Sequence, residues 1–231
     1  MVHGELLLTV ESRAGRQKLV FPVRRLVCAG WVGRDRKALQ AHIDELAQHG
    51  IPGPTRTPIY MNFSPYLAAT TEAIDVVSGE SSGEVEFVVL KKDDRTYIGV
   101  GSDHTDRGFE KFGIPASKQM YMKVMAPVVW SYREVRDHWD SLILRSWTTG
   151  EGKRMLYQED ALAAILDVEC LLEGLPKDDG LPMDGLVLFS GTVATKMGLV
   201  YGEMFEFEME DPALRRKIRH GYRVRVLPQY L

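Results

Sequence analysis

Residues 81–107 read SSGEVEFVVLKKDDRTYIGVGSDHTDR, and this stretch constrains the fold more than any other. Residues 84–90 crowd Val, Phe and Leu into a short run, the composition of a β-strand. Lys91, Lys92, Asp93, Asp94 and Arg95 form a polar turn, and residues 97–100 read as the returning strand. Side chains alternate faces along a strand, so Glu84 and Glu86 project to the same side. The returning strand delivers Asp103 close to where the first strand began. Three carboxylates that converge without intervening cations repel and raise one another's pKa values. A divalent cation resolves that conflict, and an all-oxygen site suits Mg²⁺ or Mn²⁺. A Glu-x-Glu pair on the wet face of a hairpin is also common without any metal, so the motif needs support from elsewhere in the chain.

The totals exclude several classes. With 231 residues, of which 45% are hydrophobic, the chain has ample material for a core. A net charge of −3 and a pI near 6.1 give no nucleic-acid footprint. Cys28 and Cys170 are its two cysteines, which argues against a disulfide framework and a structural zinc site. No basic leader with an apolar core opens the sequence, and no run approaches the roughly 20 apolar residues of a membrane span. The expectation is a soluble, cytoplasmic protein with neither nucleic-acid nor membrane partners.

Taken in order, residues 6–10 and 18–20 flank a Ser-Arg-Ala-Gly turn as a hairpin. Asp35 is a plausible N-cap for a helix through residue 49, with Leu39, Ile43 and Leu46 on one apolar stripe. His42 and Glu45, three residues apart, share a face of that helix. A histidine at the core margin beside a carboxylate is oriented and made more basic, as a general base requires; an ordinary surface pair has the same spacing. Residues 51–65 form a Pro-rich extended connector. Residues 120–130 read as a buried run flanked by Lys118 and Lys123, lysines able to neutralise carboxylates or hold an anionic substrate. Helical character is expected early in 133–144, with Trp139 and Leu142 as buried anchors, and again over 158–172, where Leu162, Ile165, Leu166 and Cys170 mark an inward side. Strands return at 186–189, 204–209 and 222–227. In the middle one, Glu206, Glu208 and Glu210 alternate with apolar residues and are expected to face solvent. The class is mostly β with α insertions, in a mixed or antiparallel sheet.

The order of these parts resembles the fumarylacetoacetate hydrolase-like superfamily, in a bacterial branch. An apolar run ending in a glycine (26–30) precedes the His-x-x-Glu helix with His42 and Glu45. A Pro-rich stretch (54–60) then leads to the Glu84/Glu86 strand and to the turn with Asp103 and Arg107. Lys118 follows in Ser-Lys-Gln, and a strand ends in Gly191-Thr192 before Gly202-Glu203 and the Glu-rich strand. The likeness spans residues 26–210 and implies a fumarylacetoacetase-like mixed β-sheet roll. Residues 1–65 would be an N-terminal hairpin, helix and connector, and 66–231 the β-roll catalytic domain with the metal site. It further implies an enzyme dependent on Mg²⁺ or Mn²⁺ that cleaves a C–C bond in a 2-oxo or 1,3-dicarbonyl acid, or else a decarboxylase, hydratase or isomerase at the same site. A non-catalytic organic-acid-binding relative is the alternative. By the same resemblance Glu84, Glu86 and Asp103 are metal ligands; His42, Glu45 and Lys118 are catalytic; Arg107, Gly191 and Thr192 bind the small carboxylic acid substrate. Arg107 could equally buttress the aspartate turn. A homodimer is expected, with residues 120–130 a candidate interface.

Overall fold

The computed structural model describes residues 4–48 and 53–230. The chain opens with the expected hairpin, β1 (Gly4–Ser12) and β2 (Gly15–Val23), closed where Ser12 pairs with Gly15. Gly15 sits at φ 116°, a backbone conformation that side chains with a Cβ resist. β3 (Arg25–Gly30) leads to α1 (Arg36–Gln48), and Asp35 caps that helix by accepting from Lys37 N and Ala38 N. The Pro-rich segment is extended, and it also holds a strand, β4 (Ile59–Phe63), paired antiparallel with β3. Short strands β5 (Ala68–Ala69), β6 (Ala73–Val76) and β7 (Ser81–Ser82) lead into the central hairpin, β8 (Val85–Lys92) and β9 (Arg95–Asp103).

After β10 (Thr105–Asp106) come two short helices, α2 (Arg107–Glu110) and α3 (Ile114–Gln119), then β11 (Lys123–Met125) and β12 (Val128–Ser131). The remainder is α4 (Tyr132–Val135), β13 (Ile143–Gly150), β14 (Lys153–Ala161), α5 (Val168–Gly174), β15 (Leu186–Phe189), β16 (Met204–Asp211) and β17 (Arg216–Val226). Ten strands form one curled sheet in the order β2-β1-β12-β9-β8-β15-β3-β4, with β11 joining β9 to β5. Strands from both sides of residue 65 interleave in it. The sheet is mixed, since β1/β12 and β15/β3 run parallel. A second sheet follows the order β14-β13-β16-β17-β6.

Both faces of the large sheet are covered. Leu8, Phe21, Leu26, Val88, Leu90 and Phe189 pack on one face. On the other, Val85, Phe87 and Val89 meet Trp139, Phe205 and Phe207 of the second layer. That double burial explains why β8 reads as an unbroken apolar run rather than an alternation. Phe87 and Trp139 meet edge to face at 4.9 Å between centroids. Among the described residues no helix is long and apolar enough to cross a membrane.

One expected helix is corrected. Residues 158–172 begin as the end of β14, turn at Leu162–Ala164, and become helical only from Val168, where Asp167 caps α5 by accepting from Cys170 N. Leu162 and Ile165 are indeed buried, but in a turn, and Cys170 is exposed. The helical character expected early in 133–144 is present as α4 and a 3₁₀ turn at Arg136–Ser141 before β13 begins, with Trp139 and Leu142 buried as read. Pairing of β13 with both β14 and β16 overrides the helix-like spacing. Glu206, Glu208 and Glu210 are not free in solvent but ion-paired with Arg154, Arg219, Arg145 and Lys217. Within 120–130, Val124, Met125, Ala126, Val129 and Trp130 are buried inside the chain itself, while Met120 and Met122 are exposed.

Gln158 links the two layers. Its Oε1 accepts from Val85 N at 3.0 Å and from Ser146 Oγ at 2.9 Å. Its Nε2 donates to Thr192 Oγ1 at 2.7 Å and to Val193 O at 2.6 Å. Gln158→Ala would strand these buried partners, so we expect a loss of about 2–4 kcal/mol in urea unfolding. A loss below about 0.5 kcal/mol would remove Gln158 from the list of stabilising contacts.

Candidate functional site

Glu84 immediately precedes β8 and Glu86 is its second residue, so both lie on the face that Val88 and Leu90 continue inward. The antiparallel register puts Val85 opposite Ser102 and Glu86 opposite Gly101, and Asp103 N donates to Glu84 O at 3.1 Å. On the other edge of β9, Lys123 of β11 pairs with Asp103. Glu84, Asp103 and Lys123 therefore form a row across three strands. One oxygen each from Glu84, Glu86 and Asp103 lies within 4.8 Å of the others. Glu86 and Asp103 are buried, and the Glu84 side chain, 18% exposed, faces the way out.

Three cations stand among these carboxylates, two of them the lysines that the sequence offered as able to neutralise such groups. Short helix α3 delivers Lys118, whose Nζ lies 2.7 Å from both Glu84 Oε2 and Asp103 Oδ2 and 3.1 Å from Thr105 Oγ1. Lys123 Nζ lies 2.6 Å from Asp103 Oδ1 and donates to the carbonyls of His104 and Lys118. Arg107 places Nη2 3.0 Å from Glu84 Oε1, anchors Nε on Ser82 Oγ at 2.7 Å and also meets Glu110. Each oxygen of Glu84 and Asp103 thus has a cation beside it. Among the described residues no basic side chain pairs with Glu86, which instead accepts from Gly191 N at 2.8 Å.

The electrostatics follow. Burial opposes ionisation of Asp103, but Lys118 and Lys123 hold its carboxyl well below the usual range. Burial is likewise outweighed at Glu84, which Arg107 and Lys118 pull down. Glu86 goes the other way, pushed well up by burial and by the charge of Asp103. Burial would lower Lys118, yet Asp103, Glu84 and Glu86 together raise it well above an ordinary lysine. Burial, then the charges of Lys123 and Arg107, push His104 down to about 3.

Of the residues singled out in the sequence, Glu84, Glu86, Asp103, Lys118, Arg107 and Gly191 meet in this one cluster. Gly191 occupies φ 85°, and a Cβ there would come within 2.6 Å of Val32; only glycine brings its N–H to Glu86 in this way. Thr192 lies beside it with a different task, donating Oγ1 to Val85 O at 2.7 Å and so fixing the start of the Glu strand. His42 and Glu45 lie on α1, but their side chains fall outside the described residues. Sequence reading missed the pairing of Lys123 with Asp103, as well as Gln158 and a buried relay in which Tyr222 OH meets Ser102 Oγ at 2.8 Å and His104 Nδ1 at 2.9 Å. Ser102 Oγ in turn accepts from Glu84 N, so β17 of the second layer props the carboxylate strand. The lysine at 123 was visible as a flank of a buried run; its partner was set by register alone.

A family model described as Protein of unknown function (DUF2848) matches residues 29–222. The chain belongs to the DUF2848 family. No curated protein matches its sequence. Solved structures share its fold, among them 2-keto-3-deoxy-D-arabinonate dehydratase complexed with magnesium and 2,5-dioxopentanoate, at TM-score 0.65 and 16% identity over 95% of this chain and 79% of that one. The 5-carboxymethyl-2-hydroxymuconate delta-isomerase of Mycobacterium smegmatis aligns at TM-score 0.62 and 15% identity, over 93% and 82% of the two chains. A candidate fumarylacetoacetate isomerase/hydrolase from Oleispira antarctica aligns at 0.64 and 16%, over 96% and 99%. This DUF2848 chain therefore has the fold of the fumarylacetoacetate hydrolase-like superfamily, the mostly β, mixed-sheet roll that the order of its motifs implied.

His104 gives the site a pH signature in this DUF2848 chain. Its folded-state pKa, near 3, lies below an ordinary 6.5, so protonation favours the unfolded chain. The stability it contributes is fully present above about pH 6.5 and drains as pH falls toward 3. Thermal melts across that window should show His104→Asn less acid-sensitive than wild type; parallel pH profiles would show that His104 titrates normally.

Proposed function

We propose that this chain is a divalent-metal-dependent enzyme acting on 2-oxo or 1,3-dicarbonyl acids, with hydrolysis of a C–C bond as its reaction. The observation that carries the reading is the convergence of Glu84, Glu86 and Asp103 within 4.8 Å. The donor set fits a hard cation such as Mg²⁺ or Mn²⁺: it is all oxygen, and Glu86 lacks a basic partner among the described residues. A carboxylate also offers more lone pairs than its ion pairs occupy, so Glu84 and Asp103 can serve cation and metal together. A structural neighbour complexed with magnesium and a dioxo acid points the same way. The bound ion would supply Lewis acidity toward a keto oxygen of the substrate.

The chain's own side chains account for the rest. Lys118, held protonated by its carboxylate neighbours, has its donors on Glu84, Asp103 and Thr105, and its charge beside the cluster can steady a developing oxyanion. Arg107 holds Glu84 in place, and its charge beside the cluster would attract a substrate carboxylate. His42, oriented by Glu45, would take the proton from water as it attacks the carbonyl carbon, and Glu86 is fixed by Gly191 so that its free oxygen faces the cluster. Decarboxylation, hydration or isomerisation would use the same groups with a different destination for one proton.

A second reading draws on the three cations, since they already pair with Glu84 and Asp103: a non-catalytic relative that holds an organic acid. Thermal melts of verified metal-free protein with Mg²⁺ or Mn²⁺ separate the two. At a hundred times its Kd a ligand specific to the folded state adds about 2.7 kcal/mol. For a chain of this length that is a rise of roughly 5–11 °C. Glu86→Gln, an isosteric change, should abolish the rise, and a wild type that shows none would favour the second reading. For the chemistry, His42→Ala should keep the metal-dependent rise yet stop depletion of 2-oxo acids followed by mass spectrometry; full activity in that variant would take His42 out of the mechanism.

A further inference from the structure

A cavity that shares no residue with the carboxylate cluster lies between α4, the 3₁₀ turn at Arg136–Ser141 and the start of α5. Its volume, 610 Å³, falls in the range of small-molecule sites. Tyr132 and Trp139 give it aromatic walls, meeting edge to face at 5.6 Å between centroids, and Arg34, two residues before α1, lines it too.

Two donors in these walls lack a partner. Trp139 is 5% exposed, and its buried Nε1–H has no acceptor among the described residues; neither has the buried Nη2 of Arg34. Native structures rarely leave such groups unpaired. The rest of Arg34 is engaged. Its Nε donates to Ile165 O at 3.1 Å, and Nη1 alone donates to both oxygens of Asp140, each at 2.9 Å. Asp140 therefore uses one nitrogen of the guanidinium fork and leaves the other. Because Asp140 is 62% exposed, the pair is screened by solvent and exchanges at little cost. A carboxylate that takes its place can engage Nη1 and Nη2 side by side, the stronger bidentate geometry.

The cavity also calls for a positive group. Asp137, Asp140, Asp167 and Glu169 line it against two guanidiniums, Arg34 and Arg136, while the Nε2 of His138 is taken up by buried Asp211 at 2.9 Å. The Tyr132 hydroxyl donates to Glu169 Oε2 and leaves Oε1 without a partner among the described residues. A plain organic anion is repelled by this acidic surplus, whereas an ammonium group is attracted both to it and to the aromatic rings. We propose that the cavity is a second binding site and that it takes a free amino acid, with the carboxylate on Arg34 and the ammonium beside Glu169 and Tyr132.

Thermal melts of the full chain with the common L-amino acids, one at a time, select the ligand; at least one should raise Tm. Titration calorimetry should then show its amide, which lacks the carboxylate charge, and the matching 2-hydroxy acid, which lacks the ammonium, each binding at least about tenfold more weakly. Arg34→Gln and Glu169→Gln should each weaken the amino acid by a similar factor, and Glu86→Gln should leave its affinity unchanged. A Tm that no amino acid raises, or an amide or hydroxy acid that binds as tightly, would overturn the proposal. So would loss of binding in Glu86→Gln, which would put the ligand at the carboxylate cluster instead. The wild-type comparison of the three ligands decides the matter even if Arg34→Gln fails to fold, and its outcome leaves the metal site proposed above to its own test.

Discussion

The row of Glu84, Asp103 and Lys123 across β8, β9 and β11 is the arrangement on which the rest depends. Charges removed from water are costly unless paired in good geometry, and removing one partner of a buried pair leaves the other uncompensated. Here the pairing is written into the backbone ladder: the register that joins Asp103 to Lys123 also sets Asp103 N on Glu84 O. Around that row the remaining cations arrive from short helices that would have little reason to exist alone. α3 has six residues and buries its lysine, and α2 has four and contributes Arg107. Each is held by what its charged side chain reaches.

The second layer serves the same place from behind. Gln158 reaches from β14 to the first amide of β8, and Tyr222 reaches from β17 through Ser102 to the amide of Glu84. Polar side chains buried this deeply are costly unless every group is satisfied. Their presence at the junction of the two sheets converts sheet packing into precision at the carboxylates. Gly191, just past β15, completes the frame, giving Glu86 a hydrogen bond but no counter-charge. That asymmetry, with two carboxylates pulled down and one pushed up, sets the cluster apart from an ordinary buried salt-bridge network.

Sheet segments with strong local signals were legible in the sequence. The β8/β9 hairpin, the β1/β2 hairpin, the Asp35 cap and β15 all rest on composition, turn chemistry or capping that acts over a few residues. The misread region, 158–172, carries apolar residues at a helical spacing, but Gln158 and its neighbours are claimed by β13, and a turn buries Leu162 and Ile165. Periodicity reports which residues are buried and not what buries them. The same blindness hid Gln158, which looked like the start of a helix and is a buried link between layers.

The sequence by itself determined that Glu84 and Glu86 share a face and that Asp103 returns to them, because a two-residue repeat and a tight turn leave no other geometry. It also held, in the order of its weak motifs, the fold that the solved structures share. Only the tertiary structure decided what those carboxylates meet. Lys118, Lys123 and Arg107 are separated from Glu84 by tens of residues, and their approach is fixed by strand register and by the packing of α2 and α3. No local rule encodes a charge balance, since Coulomb attraction depends on distances in space and on burial that the folded chain alone establishes.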